Sequence, residues 1–203
     1  MKRASLVVGA LVALFVGYRV FVSRPAVTNP EPAGESLICF GDSLTSGIGA
    51  GPGESYPDHL ERMIGRPVIH AGVPGDTTAD ALARLRRDVL DRSPRIVFIT
   101  LGGNDLKNGV PAAEAFANLR QVVTRIQDRG ALVVVGGIDL PLFGRDFADG
   151  YQELCEETGC VLVDNVFEDI MGRPQLMADR IHPTGQGYEI MARHFERAAR
   201  PYL

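Results

Sequence analysis

A chain of 203 residues that is 45% hydrophobic and 23% charged has the make-up of an ordinary globular protein, not of a disordered or fibrous one. Four of its 21 basic residues, Lys2, Arg3, Arg19 and Arg24, precede the first acidic residue, Glu31. The rest of the chain therefore sets 17 basic residues against 25 acidic ones, a net charge of −8, which lacks the basic footprint that nucleic-acid binding requires.

Lys2-Arg3 open the chain ahead of an apolar run from Ala4 to Tyr18, followed by Arg19 and Val20-Phe21-Val22. A positive start before an apolar core with no polar face reads as an export signal or a membrane anchor. Ala4–Val22 is close to the ~20 residues a bilayer-spanning helix needs, and Arg19 near its end can snorkel to the interface. The residues after Val22 match a signal-peptidase site poorly, so residues 1–22 are expected to stay as an anchor, or to act as a signal peptide if they are cleaved. The lean of positive charge puts the amino terminus in the cytoplasm and the body outside it, periplasmic if anchored and secreted if released. Residues 23–36 carry Pro25, Pro30, Pro32 and Gly34 and read as an extended linker, which leaves residues 37–203 as one folded domain.

Along that domain, short apolar runs alternate with helical patterns. Leu37–Phe40 predicts a first buried strand, ending in Gly41-Asp42-Ser43-Leu44 and a glycine-rich loop from Thr45 to Gly53. Tyr56–Ile64 has helical spacing and a stop at Gly65. Pro67–His70 predicts a second strand, followed by the loop Ala71-Gly72-Val73-Pro74-Gly75. Thr77, with Asp80 three residues on, caps a helix whose apolar stripe is Ala81, Leu82, Leu85 and Val89. Arg84, Arg86 and Arg87 read as its solvated face. Arg95–Leu101 is the clearest strand and runs into Gly102-Gly103-Asn104-Asp105. A helix starting at Pro111 and stopped by Gly130, a strand at Leu132–Val135, a helix at Phe147–Glu157 and a strand at Val161–Val163 follow. A loop at Leu176–Pro183 and a helix at Gly187–Ala199 close the chain. Three cysteines allow at most one disulfide; Cys155 and Cys160 flank a helix-to-strand junction, where either a bridge or two small core residues fit. No Cys/His spacing resembles a zinc site, and no cofactor is expected.

Strands alternating with helices predict an α/β fold with a parallel five-stranded sheet covered on both faces. The loops after the first three strands then share the sheet's carboxyl edge, where such folds bind ligands. Ser43 is the candidate nucleophile. Of the four histidines, His59 and His194 fall on helices as surface residues, and His70 ends a strand. His182 lies in a loop three residues after Asp179, a spacing that turns both side chains to one point. Asp179 can then fix the imidazole's tautomer while His182 serves as base. The backbone N–H groups of Ser43 and Gly75 and the amide of Asn104 are candidate oxyanion donors. Gly47, Gly49, Gly51 and Gly53 raise the question of a nucleotide-binding loop, but no Gly-Lys-Ser/Thr follows and Pro52 breaks the dinucleotide pattern.

Gly41-Asp42-Ser43-Leu44, Gly75, Gly102-Gly103-Asn104-Asp105 and Asp179-Arg180-Ile181-His182-Pro183 stand in the order of the four blocks of the GDSL/SGNH hydrolases, which the chain resembles from Leu37 to Leu203. Gly75-Asp76-Thr77 and Leu82-Ala83-Arg84-Leu85 are similar to the bacterial arylesterase, lysophospholipase and thioesterase branch. The resemblance implies a three-layer α/β/α flavodoxin-like sandwich, Ser43 as nucleophile, Asp179 and His182 completing a triad, and Gly75 and Asn104 in an oxyanion hole. Two positions depart from the family: His70 stands where asparagine is usual, and Arg180 where glycine is common. The expected activity is hydrolysis of carboxylic esters through an acyl-enzyme, on aryl or short-chain esters, lysophospholipids or acyl thioesters, by a monomer whose partners are a small ester or lipid substrate and the membrane. A carbohydrate O-acetyl esterase is the alternative within the family, and a catalytically silent lipid- or glycan-binding module the alternative outside enzymes.

Overall fold

The computed structural model describes residues 26–139 and 146–203. Five strands, β1 (Ser36–Gly41), β2 (Val68–Gly72), β3 (Pro94–Thr100), β4 (Leu132–Gly136) and β5 (Val161–Val163), form one sheet in the order β2-β1-β3-β4-β5. Every neighbouring pair is parallel. The central strands are buried on both faces, which is why Leu37–Phe40 and Ile96–Ile99 read as continuous apolar runs rather than alternating ones.

Seven α-helices cover the sheet among the described residues: α1 (Ser43–Ser46), α2 (Tyr56–Ile64), α3 (Thr78–Asp88), α4 (Gly103–Asn108), α5 (Ala112–Gln127), α6 (Asp146–Thr158) and α7 (Gly185–Ala199). α2 packs against α7, and α3, α5 and α6 pack against one another in sequence. Tyr56 of α2 and Phe98 of β3 both lie on the Phe195 ring of α7, with centroids 5.2 and 5.7 Å away. Phe116 of α5 meets Tyr151 of α6 edge-on at 5.0 Å. The chain leaves β1 for β2 on one side and returns across it to β3 on the other. That reversal opens a crevice above the carboxyl ends of β1 and β3, the switch point where open α/β sheets take their ligands.

Several elements differ from the sequence reading. The glycine-rich loop begins as the one-turn helix α1, and Gly103–Asn108 is a helix where a loop was expected. β2 runs through His70 to Gly72, so His70 is an exposed mid-strand residue paired in register with Cys39. His59 and His194 are half-buried, with His59 Nε2 and His194 Nδ1 sealed from solvent. Cys155 and Cys160 form a disulfide, and Cys39 is a buried free thiol. The segment expected to be a linker is bound to the body from Thr28 onward. Thr28 N–H donates to Gly159 O at 2.9 Å, Asn29 Nδ2 donates to the carbonyls of Gln127 and Ala131, and Pro32 is buried with its carbonyl accepting from Arg95. The expected anchor Ala4–Val22 lies outside the described residues; among those described, no helix is long and apolar enough to cross a membrane.

Candidate active site

Ser43 stands where β1 ends. Asp42 caps the turn, its Oδ1 accepting the Leu44 N–H at 2.9 Å, and α1 begins at Ser43 itself. The turn is pulled down onto the sheet by Thr45, whose hydroxyl meets Thr100 Oγ1 at 2.6 Å and Tyr56 Oη at 2.9 Å. Gly41 makes this approach possible, since a Cβ there would lie 2.3 Å from both Thr100 O and Thr45 Oγ1.

The histidine arrives from the far end of the chain. Asp179 Oδ1 accepts the backbone N–H groups of Ile181 and His182, each at 2.8 Å, closing a tight turn. The same carboxylate's Oδ2 lies 2.7 Å from His182 Nδ1, and His182 Nε2 lies 3.0 Å from Ser43 Oγ. The turn is pinned by Ala178 N–H donating to His182 O at 2.8 Å and by a bridge between Met177 and Pro183. The hydrogen bond from His182, joined by that from the Ile181 N–H, holds the Asp179 carboxyl down at about 2, so it is an anion at any working pH. With Nδ1–H donated to that anion, Nε2 is left as the acceptor facing the Ser43 hydroxyl. Arg180, the departure beside this pair, is exposed.

Asn104 sits in the first turn of α4, with Nδ2 donating to Asp76 O at 2.9 Å and facing Asp42 Oδ2 at 3.3 Å. α4 is tied to α3 through Asp105, whose carboxylate accepts the Thr78 N–H at 2.9 Å and the Thr78 hydroxyl at 2.7 Å. Gly75 forms the turn between β2 and α3 with φ of +90°, a conformation that favours glycine. Ser43, His182 and Asn104 border one cleft of about 210 Å³, whose other walls are mostly aliphatic or aromatic, from Leu44, Leu106, Ile138, Phe167 and Ile181. No three His, Cys, Asp or Glu residues among those described are grouped to hold a metal ion.

This order of glycine-rich turns around one serine and one histidine is matched elsewhere. Residues 39–190 fit the GDSL-like Lipase/Acylhydrolase family. The chain belongs to that family. It is 33% identical over 162 residues to an arylesterase of Vibrio mimicus, covering 74% of this chain and 81% of the relative. It is 28% identical over 191 residues to thioesterase 1/protease 1/lysophospholipase L1 of Escherichia coli, covering 90% and 92%. Its fold superposes on the crystal structure of AlinE4, an SGNH-hydrolase family esterase, with a TM-score of 0.66 at 37% identity, over 82% of this chain and 96% of that one. The protein is thus a GDSL-type hydrolase with an α/β fold.

Two side chains near the cleft escaped the sequence reading. Asp42 is 3% exposed, and burial raises its carboxyl to about 6. Arg84, read as part of a solvated face, is instead packed beneath the loops, 10% exposed. A signal for it was present. Ala81, Arg84, Leu85, Asp88 and Val89 fall at i, i+3, i+4, i+7 and i+8, one face of a helix, so Arg84 and Asp88 share the buried stripe.

Proposed function

We propose that this GDSL hydrolase is a serine esterase acting on aryl and short-chain carboxylic esters, with Ser43, His182 and Asp179 as its triad. The observation that carries the reading is the continuous relay from Ser43 Oγ to His182 Nε2 at 3.0 Å and from His182 Nδ1 to Asp179 Oδ2 at 2.7 Å. In this reading His182 Nε2 takes the Ser43 proton as Oγ attacks the ester carbonyl carbon, and the carbonyl oxygen becomes an oxyanion. Asp179 stays ionised and stabilises the imidazolium. The oxyanion is received by the N–H groups of Ser43 and Gly75 and by Asn104 Nδ2, the N–H now directed at Asp42 turning to it. His182 then returns the proton to the departing alcohol. Water repeats the sequence on the acyl-enzyme, releasing the carboxylic acid and restoring the Ser43 hydroxyl.

A cleft of about 210 Å³ with apolar walls suits a short acyl chain or an aromatic ring. The names of the Vibrio and Escherichia relatives point to aryl esters first, and to acyl thioesters and single-chain phospholipids as further substrates of the same chemistry. We also propose that the domain works outside the cytoplasm, held by Ala4–Val22. The Cys155–Cys160 bridge supports this, because such bonds persist in oxidising compartments.

The test is turnover of p-nitrophenyl esters of graded chain length. Acetate to hexanoate esters should be preferred, and Ser43→Ala should remove activity on the order of 10⁶-fold without unfolding the protein. Undiminished turnover by a folded Ser43→Ala variant would refute the assignment.

A further inference from the structure

Arg84 makes four directed hydrogen bonds from one guanidinium. Nη2 donates to Gly41 O at 2.8 Å, and Nη1 to Ala71 O at 3.0 Å. Nε donates to Asp76 Oδ2 at 2.5 Å, and Nη1 also reaches Asp88 Oδ2 at 3.0 Å. The guanidinium carbon lies 4.4 Å above the Phe40 ring. Arg84 is 10% exposed and the two carboxylates 12% each, so the charges face one another with little water between them.

These contacts fall at particular points of the chain. Gly41 is the last residue of β1, two before Ser43, and its carbonyl also accepts the Val73 N–H at 3.0 Å. Ala71 and Asp76 bracket the Gly75 turn on either side. Asp76 offers its side chain to Arg84 and its backbone carbonyl to Asn104 Nδ2. One guanidinium therefore touches the approach to each of three groups: the Ser43 N–H, the Gly75 N–H and, through Asp76, the Asn104 amide. A stabilising role alone would be served by burying an apolar side chain, since buried ion pairs add little net stability over well-packed apolar residues. What the planar fork adds is fixed geometry, four bonds at set angles that a lysine's single ammonium cannot reproduce.

We propose that Arg84 is the positioning residue of the oxyanion hole, locking the carboxyl ends of β1 and β2 and the Gly75-Asp76 turn in the arrangement that stabilises the transition state. The proposal rests on the esterase reading above. Arg84 lies behind the donors and acts through them. A donor displaced by as little as ~1 Å loses of the order of 10²-fold in rate, and a hole donor acts on the transition state more than on bound substrate.

The experiment compares Arg84→Lys, Arg84→Met, Asp76→Asn and Asp88→Asn with the parent in p-nitrophenyl acetate turnover, well below each variant's melting temperature. A second readout is inhibition by a boronic acid, whose serine adduct places an oxygen in the oxyanion position. Arg84→Lys and Arg84→Met should lower kcat by roughly 10–100-fold while KM changes little, and boronate affinity should fall in step. Asp76→Asn should lose kcat similarly, and combining it with Arg84→Lys should add little further. Asp88 shares Arg84 Nη1 with Ala71 O but bonds none of the proposed oxyanion donors, so Asp88→Asn should lower the melting temperature and cost less kcat than Arg84→Lys. A folded Arg84→Lys with parental kcat and boronate affinity overturns the proposal, as does an Arg84→Lys loss of kcat with boronate affinity unchanged. Ser43→Ala, run alongside, separates the two readings: if it stays active, the esterase assignment has failed, not the role of Arg84.

Discussion

Asp42 follows the last residue of β1, with its carboxyl buried between the Leu44 N–H and the Asn104 amide. Burial raises it to about 6, well above the ordinary value near 4, so the folded state binds its proton more tightly than the unfolded chain does. Its ionisation therefore opposes folding. The penalty is absent below about pH 4, grows between pH 4 and 6, and reaches about 3 kcal/mol at neutral pH. Asp42→Asn keeps an oxygen for the Leu44 N–H and removes that penalty. Its stability relative to the parent should rise with pH across this window and level off above about pH 6, as urea unfolding at stepped pH will measure. A difference that shrinks with rising pH would mean that the carboxylate is the favoured form. Asn104 acts at the same spot with another currency, the transition state. Asn104→Ala should lower kcat by about 10²–10³-fold and leave KM nearly unchanged, whereas a pure KM effect in steady-state kinetics would make it a substrate-binding residue. His182→Ala should cost nearly as much as Ser43→Ala, since a neutral hydroxyl is a poor nucleophile without its base.

At the scale of elements, the site is held by short segments stapled to long ones. α1 has a single turn and rests on β3 through the Thr45, Thr100 and Tyr56 hydroxyls, while α4 is fastened to α3 by Asp105 and Thr78. The Cys155–Cys160 bridge belongs to a different part of the sheet. It joins the end of α6 to Cys160, just before β5 begins, so it sits at the amino edge of the strands and the cleft at the carboxyl edge. The loop it closes is short, so its removal should cost only about 2 kcal/mol. Reduction, or replacement of both cysteines by alanine, should lower the melting temperature by about 4–8 °C and leave kcat for short esters unchanged. Loss of activity at a temperature where the reduced protein is still folded would tie this edge of the sheet to the cleft.

For the molecule as a whole, the body is acidic and its amino-terminal segment basic and apolar, and the boundary between them lies earlier than proline content suggests. Thr28, Asn29 and Pro32 are fastened to the turns after α5 and α6 and to β3. Deleting residues 1–25 should yield a soluble domain with full esterase activity. Deleting residues 1–36 removes those bonds and should lower the melting temperature measurably, and equal melting temperatures for the two truncations would show that the segment contributes nothing to the fold. A topology reporter fused at Leu203 should be active only outside the cytoplasm, and activity confined to the cytoplasm would overturn the proposed location.

The sequence by itself determined the parallel sheet and the order of its elements, because buried strands and amphipathic helices write their periods locally. It also marked Ser43, Gly75 and Asn104 as candidates by their places after strands, and Asp179 and His182 by their three-residue spacing. Only the tertiary structure decided that the Asp179 turn meets Ser43, which lies 139 positions before His182. It alone decided the state of Asp42, since burial is a property of what packs around a carboxyl and not of its neighbours in the chain. Arg84 shows the limit most plainly. Its helix spacing put it on the inner face, yet an arginine there reads as solvated until its partners are known. Those partners, Gly41, Ala71 and Asp76, come from two strand ends and a turn that the fold alone gathers around one guanidinium.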